Sequence, residues 1–167
     1  MITTEQIKEL RDKTGISVMQ CRKALEEAAG DMEKAMAILR ANSSAIAEKK
    51  SERTLKSGVI ASYVHSSGSV GALLELNCES DFVAKNPEFK QLAYDIAMHI
   101  TAAAPEYLDG KDVADATNPE IKEKILLEQA YIKDGSMTIA NLITSFVQKF
   151  GERIEIGGFK RMSVLGQ

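Results

Sequence analysis

At Gly58 the hydrophobic period of the chain changes from about 3.6 residues to about 2. Upstream, Cys21, Ala24, Leu25 and Ala28 recur at helical spacing, as do Met32, Ala35, Met36 and Leu39. Downstream, Val59, Ala61 and Tyr63 alternate with Ile60, Ser62 and Val64, and Ala72, Leu74, Leu76 and Cys78 share one face of a second extended run. Ser66-Ser67-Gly68-Ser69 between the two runs predicts an antiparallel hairpin. A helical block, a hairpin, further helices and a closing strand predict an α+β fold, not a parallel α/β sheet.

The helical block carries its own punctuation. Thr3 with Gln6 and Ser17 with Gln20 have the spacing of capping boxes, Thr14-Gly15 and Gly30 stop helices, and Asp31 starts the third. Three amphipathic helices over residues 1–44 resemble a ubiquitin-associated (UBA-like) domain. Its first interhelix loop, Gly15-Ile16-Ser17-Val18-Met19, is apolar at a tight turn. Val18 and Met19 have two readings there: both close the small core, or both are exposed and dock on a partner. Cys21 reads as core. Residues 45–57 are rich in Ala, Lys, Glu and Ser without an apolar stripe, which predicts a charged helical linker.

Residues 58–167 read as an α+β core with a three-stranded antiparallel sheet. Asn86-Pro87-Glu88 combines a cap, a proline at the first helical position and an acid in the first turn. Behind it Phe89, Leu92, Ala93, Ile96, Ala97 and Ile100 hold one face that should cover the hairpin. Asn118-Pro119-Glu120 repeats this chemistry and predicts a helix carrying Ile121, Ile125 and Leu126. A further helix is expected from about Thr138 to Phe150, and a last strand from about Arg153 to Val164.

The chain of 167 residues has net charge −3, with 27% charged and 5% aromatic residues, an ordinary soluble balance that gives no electrostatic reason to expect nucleic acid or membrane as partner. No signal peptide or membrane span is read, so a cytoplasmic protein is expected. His65 and Cys78 fall at opposite ends of the hairpin, roughly 26 Å apart at about 3.3 Å per residue, too far for a nucleophile pair. The two histidines and two cysteines have no zinc spacing, and the glycines no phosphate-loop pattern. His99, beside the apolar helix face, reads as a rim or core-edge histidine. No catalytic residue, metal ligand or cofactor is expected; the chemistry favours a binding protein.

Leu74 to Lys85, LELNCESDFVAK, closely resembles the hallmark segment of the elongation factor Ts family. ELRDKTGISVMQCRKALEEAAGDMEKAMAILR resembles that family's amino-terminal domain, and LLEQAYIKD and KFGERIEIGGFKR its closing segments, in the same order. The resemblance implies a guanine-nucleotide exchange factor for elongation factor Tu, acting on its GDP-bound and nucleotide-free forms. It implies that Ser80, Asp81, Phe82 and Val83 contact the partner's GTPase domain. The phenyl ring would enter an apolar pocket and displace the elements that hold Mg²⁺ and the phosphates. Arg11, Val18 and Met19 would be contacts of the amino-terminal domain. On the residues alone Phe82 is either a core aromatic or an exposed tip; the resemblance favours the tip.

The chain departs from the family by lacking a duplicated core and a coiled-coil insertion. Short members pair two chains, so a homodimer is expected, consistent with an open sheet edge. Lys160 stands where some short members carry a cysteine, so no disulfide across the dimer is expected, and Gly157 and Gly158 replace arginines common before the final Phe. The alternative is a UBA-type adaptor binding a protein partner through Gly15–Met19.

Overall fold

The computed structural model describes residues 2–166. The chain divides into two compact units, one of residues 1–52 with 144–152, the other of residues 53–143 with 153–167.

The first unit contains α1 (Thr4–Thr14), α2 (Val18–Glu27) and α3 (Met32–Lys50). Thr3 and Gln6 close a full capping box, each side chain bonding the other's backbone N–H at 3.2 and 3.0 Å. Ser17 accepts the Gln20 N–H, but the Gln20 side chain is engaged elsewhere, accepting from Gln148 Nε2 at 3.3 Å. Leu10, Ile16, Cys21, Leu25, Ala35 and Leu39 form the core of this unit. Helix α3 runs through Lys50 without a break, so the first part of the charged segment, residues 45–50, belongs to the second half of this helix. Ser43, buried on that half, gives its hydroxyl to Leu39 O and contacts Gln148, and Lys50 Nζ reaches Gly151 O at 2.8 Å.

The second unit is built on a three-stranded antiparallel sheet in the order β1 (Ser57–Val64), β2 (Val70–Cys78), β5 (Ile154–Ser163). The alternation read from the sequence is present: Ala72, Leu74, Leu76 and Cys78 are buried, while Ile60, Val64 and Leu73 face outward and are exposed. A bulge between Glu75 and Leu76 leaves Gly157 unpaired in the β2–β5 ladder. A Cβ there would lie 2.5 Å from Glu75 Cδ, so glycine lets that side chain cross the bulge. Helix α5 (Pro87–Ala103) lies on the inner face, and Phe89, Leu92, Ala93, Ile96, Ala97 and Ile100 are all buried.

The middle of the chain differs from expectation. Instead of a helix from Asn118, there is a single turn, α6 (Pro119–Lys122). After the charged run Lys122-Glu123-Lys124 the backbone pairs with residues 106–108 instead, Glu106 N–H to Lys124 O at 2.9 Å and Leu126 N–H to Tyr107 O at 2.8 Å. That pairing sends Ile125 and Leu126 into the core. A small ribbon of β3 (Ala130–Tyr131) and β4 (Asp134–Thr138) follows, then α7 (Ile139–Phe150), whose residues from Thr144 belong to the first unit.

His99 is not at the rim. It is fully buried, with Nδ1 accepting the Ile132 N–H at 3.3 Å and Nε2 3.0 Å from Gln129 Oε1. Because Nδ1 accepts, Nε2 carries the proton and donates to Gln129, so the neutral ring satisfies both bonds. Gln129 Nε2 in turn donates to Glu123 O at 2.8 Å. Burial holds the His99 pKa below its ordinary value. The unfolded chain therefore takes up a proton near pH 6.5 that the folded chain refuses, and stability falls as pH drops below that value, by at most about 1.4 kcal/mol per unit. The loss stops once the folded imidazole titrates. Urea denaturation at steps between pH 7.5 and pH 5 measures this slope; His99→Gln removes it, and an unchanged slope in that variant would assign it to other groups.

Candidate functional site

The corner at Glu79 to Lys85 begins where the sheet ends. Cys78 is the last ladder residue of β2, paired with Ser57 on one side and Ile154 on the other. Beyond it the Glu79 carboxylate accepts the Arg153 backbone N–H at 2.6 Å and lies 3.5 Å from the Arg53 guanidinium. Arg153 Nη1 donates to Arg53 O at 2.5 Å. The buried Cys78 thiol donates to Ser80 O at 3.3 Å.

Ser80 then caps α4 (Asp81–Ala84), with extended backbone (φ −130°, ψ 153°) and its hydroxyl accepting the Val83 N–H at 3.4 Å. Asp81 Oδ1 accepts the Ser57 hydroxyl at 2.6 Å, tying the start of this turn to the start of β1. Lys85 N–H closes on Asp81 O at 3.0 Å, and Asn86 starts α5 by accepting the Glu88 N–H at 2.8 Å.

One helical turn rotates successive side chains by about 100°, so two neighbours face inward and two outward. Val83 and Ala84 are 3% and 6% exposed and anchor the turn on the core, whereas Phe82 is 82% exposed at its outer side. The ring stands on a backbone held by caps at both ends. Of the four residues singled out in the sequence, Phe82 and Asp81 are exposed, Ser80 is half-buried as the cap, and Val83 is an anchor.

In the first unit, Arg11 is exposed on the last turn of α1, and its carbonyl accepts the Gly15 N–H at 2.7 Å. Gly15 adopts φ 68°, the left-handed conformation of a helix stop. Ile16 closes the core at 5% exposed, just before the Ser17 cap. The Cys21 thiol donates to Ile16 O at 3.6 Å, and both residues are buried in the same core, at the two positions that a hydrophobic staple pairs. Burial pushes the Cys21 thiol pKa up, which keeps it an inert core residue. Val18 and Met19, in the first turn of α2, point outward at 50% and 82% exposed, so Ile16 takes the closing role that the sequence left open for them.

Ser57 and Glu79, which hold the corner, did not stand out in the sequence. Their partners Asp81 and Arg153 lie 24 and 74 residues away, and no local pattern encodes such a pairing. Among the described residues no cluster of His, Cys, Asp and Glu is arranged to hold a metal ion, and no helix is long and apolar enough to cross a membrane.

The family model described as Elongation factor TS matches residues 3–124, a range that includes both the Gly15–Met19 loop and the corner. An elongation factor Ts of Carboxydothermus hydrogenoformans is 43% identical over 194 aligned positions, covering 98% of this chain and 89% of the relative. Those of Syntrophomonas wolfei and Thermotoga maritima are each 42% identical over 98% of this chain, covering 91% and 96% of their own lengths. The aligned lengths exceed the 167 residues of this chain, so these relatives carry residues that it lacks. With the match running through both units, the chain belongs to the elongation factor Ts family of translation elongation factors.

Proposed function

We propose that this protein binds elongation factor Tu, in its GDP-bound and nucleotide-free forms, and promotes GDP release in the cytoplasm by disturbing the partner's Mg²⁺ and phosphate site. The observation that carries this is the exposed Phe82 ring on a turn whose next two side chains are buried. A ring presented on a fixed backbone loses little conformational freedom on binding, so more of its transfer free energy is available for work on the partner. Mg²⁺ neutralises phosphate charge, and displacing the groups that hold it weakens GDP without covalent chemistry. The coupling is reciprocal: the factor weakens GDP by the same factor that GDP weakens it. Asp81 and Ser80 shape the turn, Val83 anchors it, and Arg11, Val18 and Met19 make a second contact. The test is release of labelled GDP from elongation factor Tu. Acceleration by the wild-type chain supports the proposal, and none overturns it.

Exposure of Val18 and Met19 also favours the adaptor alternative, in which that loop is the main docking site. Phe82→Ala separates the two: the adaptor retains all its activity.

The proposal includes a homodimer. Ile60, Val64, Leu73 and Met162 are exposed on the outer face of the sheet, beside a shallow apolar groove of about 400 Å³ around Gly71. Such a face is suited to a second copy of itself across a two-fold axis. The expected result is about twice the 18.2 kDa chain mass in light scattering at micromolar concentration, shifting to one chain in Leu73→Asp. A single chain mass for the wild type would refute the dimer.

A further inference from the structure

We propose that Glu79 is a positioning residue for the exchange reaction: its carboxylate fixes the direction in which the chain leaves the sheet, and so where the Phe82 ring stands. The proposal rests on the exchange function above. Its basis is the way the ladder ends. Main-chain pairing stops at Cys78 on both neighbouring strands. The next N–H on β5's side, that of Arg153, is taken by the Glu79 side chain at 2.6 Å in place of a backbone carbonyl. On the β1 side the Lys56 N–H still bonds Cys78 O at 3.1 Å, and the Arg53 guanidinium stands 3.5 Å from the same Glu79 oxygen. Arg153 Nη1 bonded to Arg53 O joins the two flanking segments to each other. Glu79 therefore sits between both neighbours at the point where β2 turns away, and three residues later comes Phe82.

The bond to a backbone N–H needs reach more than charge. Glutamine keeps the oxygen at the same distance along the side chain; aspartate keeps the charge but is one methylene short. That pair of variants separates a positioning role from an electrostatic one. The rate to measure is labelled GDP release from elongation factor Tu at saturating factor. Misplacing a reacting group by about 1 Å can cost up to about a hundredfold, and a loss of about tenfold is expected for Glu79→Ala and Glu79→Asp. Glu79→Gln should stay within about twofold of wild type. In the Phe82→Ala background Glu79→Asp should have no further effect, because a displaced tip that is already absent changes nothing.

Full activity in Glu79→Asp, loss in Glu79→Gln equal to that in Glu79→Asp, or additive losses in the double variant would each overturn the proposal. If Glu79→Ala loses its circular-dichroism spectrum, the Asp and Gln pair carries the test alone. Should either of these also unfold, the bond is structural and the positioning role is refuted. Failure of the wild-type chain to release GDP, or full activity of Phe82→Ala, would instead refute the exchange function or its wedge.

Discussion

Phe82→Ala should slow factor-stimulated GDP release by roughly tenfold to a hundredfold while leaving the fold intact. Burying a phenylalanine side chain contributes about 1.5–3 kcal/mol, and each 1.4 kcal/mol is about tenfold in rate. A thousandfold acceleration needs about 4 kcal/mol, so the ring supplies a large share and the remaining contacts the rest. The folded chain itself loses almost nothing, because the ring is 82% exposed and a surface substitution of this kind changes stability by about 0.5 kcal/mol or less. Stopped-flow release of a fluorescent GDP analogue measures the first quantity, thermal denaturation the second. A fully active Phe82→Ala shows the wedge assignment to be wrong. A variant that is inactive because it is unfolded shows that the ring belongs to the core.

Phe89→Ala should do the reverse. Phe89 is fully buried in the first turns of α5, against the sheet. Truncating such a side chain costs about 3–5 kcal/mol, in lost transfer energy and in the cavity left behind. Domains of ordinary stability hold only about 5–15 kcal/mol, so the melting temperature should fall by roughly 10 °C or more. The exchange rate of whatever remains folded should be close to normal. Two phenylalanines a few residues apart thus divide stability and function between them, and a calorimetric scan of each variant distinguishes the roles. A drop of less than about 1 kcal/mol in Phe89→Ala would mean that the helix face repacks over the gap.

The difference between these two rings was only half visible in the sequence. Phe89 sits in phase with Leu92, Ala93 and Ile96, and periodicity alone predicts its burial. Phe82 sits in a four-residue helix, too short to show any period, and only the resemblance of the surrounding segment to a known family favoured its exposure. The hairpin, α5 and the closing strand are legible because each follows explicit punctuation: the Ser66-Ser67-Gly68-Ser69 turn, the Asn86-Pro87 cap and Gly151. The segment from Pro105 to Thr138 is not. There the backbone of residues 106–108 pairs with that of 124–127, and β3 pairs with β4, contacts that depend on main-chain groups common to all residues. The core position of His99 is hidden from the sequence for a related reason. An imidazole in the core is acceptable only if both nitrogens find partners, and those partners, Gln129 and the Ile132 N–H, come from a segment about thirty residues away. The same holds for Glu79, whose bond to Arg153 joins the first hairpin to the last strand.

The bracketing of α4 by two caps has a consequence for how the chain can vary. Ser80 fixes where the turn starts and Asn86 fixes where α5 starts, with Val83 and Ala84 seated in the core between them. Adding or removing one residue in this interval would turn each following side chain by about 100° about the helix axis. The ring would swing toward the core, and an anchor would swing into solvent. Substitutions that keep the cap hydroxyl and the small or apolar anchors leave this geometry alone. The link between β2 and α5 is therefore tolerant of spelling and intolerant of length, and growth or trimming of the chain has to take place elsewhere.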